Sequence, residues 1–186
     1  MIREICENDY ETLYSHMKRD FPANELIPFW ALKRNFDKGI YRGFFLTGET
    51  VIGYAIVTPP EGLQFALINF FAVLPEFRSQ GYGTMFLREL TKLYHDRIFV
   101  LEVDDPAAAK TDELRDVAIR RVRFYERAGF SVVPTVKARI FGVDMLIMAG
   151  VHDGRLSARE VMHALYRPLL GSKQLLRFID VRDDDN

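Results

Sequence analysis

The sequence predicts a mixed α/β fold, a twisted mixed sheet flanked by helices, from three observations. The apolar run Phe65-Ala66-Leu67-Ile68-Asn69-Phe70-Phe71-Ala72-Val73 leads into a glycine-containing loop, Arg78-Ser79-Gln80-Gly81-Tyr82-Gly83, and a helical pattern follows. A second apolar run, residues 98–103, comes after that helix. The stretch therefore reads strand–loop–helix–strand, and such a crossover makes its two strands parallel and right-handed. Apolar residues make up 48% of the chain, enough for a full core.

Each element has its own local signal. Residues 3–6 suit a short first strand. Asn8-Asp9-Tyr10-Glu11 reads as a helix N-cap with an acid three residues on, opening a helix to about Arg19 that Phe21-Pro22 breaks. A second helix spans 28–37, with Pro28 in its first turn and Gly39 beyond its end. Residues 41–47 and 51–58 form a hairpin across Gly48-Glu49. Pro59-Pro60-Glu61-Gly62 is a turn before the long apolar strand. The helix after the loop lines up Tyr82, Phe86, Leu90 and Leu93, and a later helix lines up Leu114, Ala118, Val122 and Tyr125. Gly129 ends that helix as a C′ residue. Strands follow over 130–133, 136–141 and 144–149. Ser157-Ala158-Arg159-Glu160 is a capping box that opens a last apolar helix. From Asp180 the chain is polar and acidic and is expected to fray.

The 186 residues suit one domain over 1–150, a helical extension over 151–179 packed on it, and a tail over 180–186. A net charge of −1 argues against bulk electrostatic capture of nucleic acid. The single cysteine, Cys6, permits no internal disulfide and suits a reducing compartment. No run of 18 apolar residues and no signal-peptide pattern is present, so the chain reads as cytoplasmic, with no membrane partner.

The loop is the most informative stretch. A strand, a glycine-containing loop and a helix start form an anion site, because unpaired N–H groups and the helix dipole both favour negative charge there. Gly81 and Gly83 let a phosphate approach the main chain, and Arg78 adds a positive fork. A dinucleotide fold would need a third glycine where Phe86 stands.

The segment 73–83 resembles the acyl-CoA pyrophosphate loop of the GCN5-related N-acetyltransferases, the GNAT family. Arg123-Phe124-Tyr125-Glu126-Arg127-Ala128-Gly129-Phe130 resembles that family's Phe-Tyr-Glu-x-x-Gly-Phe segment, and residues 98–103 resemble its fifth strand. The resemblance covers about residues 1–150. It implies the GNAT-like acyl-CoA N-acyltransferase fold, splayed between its fourth and fifth strands to admit acyl-CoA.

The resemblance also implies acetyl-CoA as acyl donor, with no metal. The acceptor is a primary amine, most simply on a small molecule, attacking directly in a ternary complex. The strand at Phe71, Ala72 and Val73 pairs with pantetheine amides. The N–H groups of Arg78, Ser79, Gln80, Gly81, Tyr82, Gly83 and Thr84 hold the pyrophosphate. Tyr125 stands where the family's tyrosine general acid lies. The family's histone-acetylating members carry a catalytic glutamate at the position of Leu67, which cannot take a proton.

Two other residues of this region are polar. Asn69 is the one polar side chain in the 65–73 run; it orients a water or is a satisfied buried amide. Glu102 interrupts an apolar strand, where burial raises its pKa; it is a base or water-holder, or else a structural or substrate contact. The family resemblance also implies that the acceptor walls fall near 20–27 and 139–145. They offer the negative groups Asp20, Glu25 and Asp144 and the aromatics Phe21, Phe29, Trp30 and Phe141, which suits a cationic amine. The runner-up reading is a non-catalytic acyl-CoA-binding module that senses or scaffolds.

Other constellations are missing. His16, His95, His152 and His163 have no metal-ligand spacing. The arginines of 115–127 alternate with acids and read as a solvated helix face rather than a nucleic-acid surface. The last helix packs on the domain or, alternatively, forms a homodimer contact.

Overall fold

A computed structural model describes residues 1–23, 25–134, 136–150 and 157–183, with Asp183 described in its backbone alone. His152, the junction at 151–156 and residues 184–186 lie outside the described residues. The chain forms two compact units, Met1–Pro59 with Ile68–Leu93, and Pro60–Leu67 with Tyr94–Asn186.

The first unit contains strands β1 (Ile2–Glu4), β2 (Arg42–Thr47), β3 (Val51–Thr58) and most of β4 (Phe65–Val73), with helices α1 (Tyr10–Asp20), α2 (Phe29–Asp37) and α3 (Tyr82–Leu93). β1 pairs antiparallel with β2 and β2 with β3; β4 lies next to β3. Every residue of β3 from Ile52 to Thr58 is buried, as expected of a strand covered on both faces. Tyr10, Leu13 and Met17 form the buried stripe of α1, and Phe86, Leu87 and Leu90 that of α3. Phe71 of β4 packs on Phe86, with ring centroids 5.3 Å apart.

The second unit contains the first residues of β4, then β5 (Ile98–Asp104), α4 (Asp112–Arg127), β6 (Ser131–Val132), β7 (Val136–Ile140), β8 (Val143–Ala149), α5 (Ala158–Phe178) and β9 (Ile179–Asp183). β4 and β5 are parallel over three residues, Phe65↔Ile98 to Leu67↔Val100. β5 then runs antiparallel to β8 from Val100↔Ala149 to Asp104↔Met145. β7 pairs with β8 and β9, and β6 pairs with β8. α5 buries Ala158, Met162, Leu165 and Tyr166, at spacings of four, three and one, against Phe65, Leu67, Val100, Ile140 and Ile147. The extension is thus part of this unit's core.

Several boundaries differ from expectation for physical reasons. A 3-10 turn at Glu7–Asp9 precedes α1, because the Asp9 carboxylate accepts the Cys6 N–H at 2.9 Å and is clamped by Arg3. Pro28 is the N-cap of α2 rather than its first helical residue. Phe141 belongs to a turn. Phe141 and Gly142 have φ of 49° and 84°, the pattern of a type I′ hairpin turn. Leu93 and Leu114, placed on apolar faces, are 53% and 55% exposed at helix ends. Residues 180–183, expected to fray, pair with β7 as β9, with Ile179 and Val181 buried.

Candidate active site

The first unit carries the loop. A 3-10 turn at Pro75–Phe77 follows β4, and Arg78 is extended. Ser79 and Gly81 then take φ of 63° and 84°. Met85 N–H donates to Gly81 C=O at 3.1 Å, so the N–H groups of Tyr82, Gly83 and Thr84 have no acceptor inside α3. A Cβ built at Gly81 would meet nothing within 4 Å. Gly81 is therefore required by its backbone angle, and the space in front of it is open to a ligand.

Arg78 is less free than a positive fork would be. Its Nε donates to Val73 C=O at 2.9 Å and an Nη donates to Asp20 at 3.4 Å. The Asp20 side chain is only 2% exposed. It also accepts the Tyr54 hydroxyl at 3.1 Å and faces Arg19 at 3.5 Å. Asp20, expected on an acceptor wall, is therefore spent on an anchor that joins the end of α1 to the end of β4 and the loop. Burial, and then the Asp20 charge, push the Tyr54 hydroxyl well above the ordinary tyrosine value, so it stays a donor.

β3 fixes the orientation of β4. A Cβ at Gly53 would stand 2.6 Å from Ala72 C=O, and Leu74 N–H donates to Ile52 C=O at 2.9 Å. Ala72 and Leu74 thus turn their amides toward β3. By alternation, Phe71 and Val73 turn theirs to the opposite edge. Asn69 accepts the hydroxyl of buried Thr58 at 2.7 Å through Oδ1, so its carbonyl oxygen is satisfied within the protein. Ser79 and Gln80 are exposed, and Gln80 donates to Glu76 C=O at 3.0 Å. The Tyr82 ring meets Phe77 edge-on at 6.0 Å.

The second unit carries the two titratable residues. Glu102 Oε2 accepts the Tyr166 hydroxyl at 2.9 Å. Its Oε1 is buried and makes no hydrogen bond among the described residues. Burial pushes the carboxyl up to about 7, and the Tyr166 hydrogen bond opposes that rise. Tyr125, near the C-terminus of α4, packs against Phe124 at 5.0 Å and Phe130 at 5.9 Å. Burial pushes its hydroxyl up to about 12, with Arg121 pulling the other way. Gly129 closes the helix with φ of 94°, and Phe130 N–H returns to Tyr125 C=O at 3.0 Å.

Glu25, Trp30 and Asp144, expected to contact the acceptor, are exposed. In the first unit, Glu25 is exposed, and Trp30 is 65% exposed with the Arg34 guanidinium 5.2 Å from its ring centre. In the second, Asp144 lies beside the β7–β8 turn, with Arg139 at 3.9 Å. Among the described residues no group of three His, Cys, Asp or Glu could hold a metal ion, and no helix is long and apolar enough to cross a membrane.

Sequence reasoning missed Tyr54, Gly53 and Tyr166. A glycine inside an apolar strand does signal close backbone approach. The two tyrosines carry no local signal, because their partners lie 34 and 64 residues away.

The comparisons agree with this architecture. The acetyltransferase (GNAT) family's sequence profile matches residues 10–130. No curated protein matches. A structure described as a GNAT-family acetyltransferase from Bacteroides thetaiotaomicron is 23% identical, with a TM-score of 0.78 over 93% of this chain and 99% of that one. The ribosomal-protein-S18-alanine N-acetyltransferase from Escherichia coli is 22% identical, with a TM-score of 0.60 over 84% and 98%. An aminoglycoside 6'-N-acetyltransferase complexed with coenzyme A is 16% identical, with a TM-score of 0.60 over 80% and 95%. On the profile match, with strand, glycine loop and helix in their places, the chain belongs to the acetyltransferase (GNAT) family.

Proposed function

We propose that this protein transfers the acetyl group of acetyl-CoA to a primary amine of a small molecule, by direct attack in a ternary complex. The observation that carries the reading is the 78–84 loop. Its backbone angles at Ser79 and Gly81 and its three N–H groups without helical acceptors suit a pyrophosphate, inside a domain matched to the family. The edge amides of Phe71 and Val73 suit the pantetheine arm. Arg78, held by Asp20, fixes the loop and adds positive charge beside it.

The chemistry needs a proton acceptor and a donor. The amine's electron pair forms the bond to the thioester carbonyl carbon, the C–S bond breaks, and its electrons leave with sulfur. Glu102 takes the proton lost by nitrogen. A carboxyl near 7 is half ionised at neutral pH, so it is both available and basic enough. Tyr125 serves the sulfur. With its hydroxyl at about 12 against an ordinary thiol near 8.5, complete transfer is uphill, so Tyr125 stabilises the developing thiolate by donating a hydrogen bond. Asn69, with its oxygen satisfied, retains an N–H₂ that can hold a water or a carbonyl oxygen. Glu25, Trp30 and Asp144 are the proposed contacts to a cationic acceptor.

Leu67, which is buried and unable to accept a proton where other family members carry a glutamate, favours a second reading, an acyl-CoA-binding module without turnover. A panel of amines separates the two. Acetyl-CoA is incubated with the protein and each amine, and free thiol and acetylated product are measured. Amine-dependent thiol release with matching product supports the enzyme. Tight acetyl-CoA binding with no product from polyamines, aminoglycosides, amino acids or peptide amines supports the module.

A further inference from the structure

Glu102 lies within the domain matched to the family, and the residue that holds it does not. Tyr166 sits on α5, beyond residue 130 where the match ends. Its ring is 7% exposed, wedged in the second unit's core and 6.1 Å from Phe141. Its hydroxyl reaches Glu102 Oε2 at 2.9 Å, while Oε1 is buried without a hydrogen bond among the described residues. A buried carboxylate oxygen with no donor is costly, and a visiting proton, water or ligand donor offsets that cost.

We propose that Tyr166 is a positioning residue: it holds Oε2 of Glu102 and leaves Oε1 as the oxygen that takes the acceptor amine's proton. The C-terminal helix is then part of the catalytic apparatus rather than a prop. This rests on the reading of Glu102 as proton acceptor given above.

The surroundings leave Tyr166 as the controlling partner. Across the ladder, β8 offers Ile147, and Val100 is the preceding residue on the same face of β5. Asp104, the next residue on that face, is paired with Arg121 of α4 at 2.8 Å. His163, one turn before Tyr166, has its ring nitrogen 3.3 Å from Ile179 C=O. Burial and the Tyr166 hydrogen bond are the influences on the Glu102 carboxyl. The hydrogen bond favours the charged form, so removing it makes the carboxyl harder to ionise.

The test is Tyr166→Phe, which keeps the ring and its packing. The Glu102 carboxyl is titrated directly by carbon NMR on protein carrying labelled glutamate, and kcat/KM is measured against pH for an amine the protein acetylates. The midpoint of the carboxyl is expected to rise by about 1 pH unit, with the acidic limb of kcat/KM moving by the same amount and KM for acetyl-CoA within about twofold. Glu102→Gln, which still offers an oxygen to the Tyr166 hydroxyl, is expected to abolish that limb. An unchanged midpoint in Tyr166→Phe overturns the proposal. So does a midpoint that moves while the limb stays, or a limb that persists in Glu102→Gln. The carboxyl titration needs no substrate, so a failed Glu102–Tyr166 pair and a failed acetyltransferase reading give different results.

Discussion

Replacing Glu102 by glutamine should change how stability depends on pH, and by an amount the structure sets. Burial moves the carboxyl from 4.5 to about 7 on folding. Between those values the folded chain holds a proton that the unfolded chain has released. Folding is therefore progressively disfavoured as pH rises through that window, and the effect levels off above the folded value. Each pH unit is worth about 1.4 kcal/mol, so the full span costs about 3 kcal/mol. Glutamine has nearly the same shape, stays neutral and accepts from Tyr166. The variant should gain on the wild type by up to about 3 kcal/mol as pH rises from about 4.5 to about 8. Its own amide adds a pH-independent offset through the N–H₂ group it buries. The assay is urea unfolding of both proteins at several pH values. The quantity read is their difference, in which all other titrating groups cancel. A difference that stays flat within about 0.5 kcal/mol would mean that Glu102 titrates at an ordinary value and is not desolvated.

Further outcomes follow from the other contacts. Tyr125→Phe should lower turnover at least about tenfold, because removing a hydrogen-bond donor aimed at developing charge costs about a hundredfold or more, while calorimetry finds acetyl-CoA affinity nearly intact; unchanged turnover removes the role. Gly53→Ala would force a Cβ to 2.6 Å from Ala72 C=O, so it should destabilise by about 1–3 kcal/mol in urea unfolding, and a neutral result would mean β3 can shift freely. Asp20→Ala leaves the buried Tyr54 hydroxyl unpaired and should cost about 1–3 kcal/mol. It should also weaken acetyl-CoA binding, and an unchanged Kd would confine the anchor to stability.

The parts of this fold that were legible in the sequence carry local signals. β4 was read with its bounds, because a Pro-Gly turn and a glycine loop bracket one apolar run. The end of α4 was read from Gly129. β9 was not, because Ile179 and Val181 alternate with Asp180 and Arg182 over too few residues to outweigh the acidic tail. Phe141 looked like a strand residue because its side chain favours sheet, whereas the two-residue turn needed a positive φ there. In the candidate site, Glu102 stood out as one charge in an apolar strand. Its partner was invisible, since nothing near Tyr166 marks it apart from the core. The same holds for Asp20, 58 residues from Arg78 in sequence. Its acidity suggested a substrate wall, and only the packing of Tyr54 and Arg78 around it reveals an anchor.

The central claim is that the 78–84 loop binds acyl-CoA, and a calorimetric titration with acetyl-CoA tests it most directly. The wild type is run beside Gly81→Trp, whose side chain would enter open space and so leaves the core untouched while filling the front of the loop and straining a φ of 84°. Saturable binding by the wild type, lost in a Gly81→Trp protein that still unfolds cooperatively, is the result the account predicts. No binding by the wild type, or equal binding by both proteins, would contradict it.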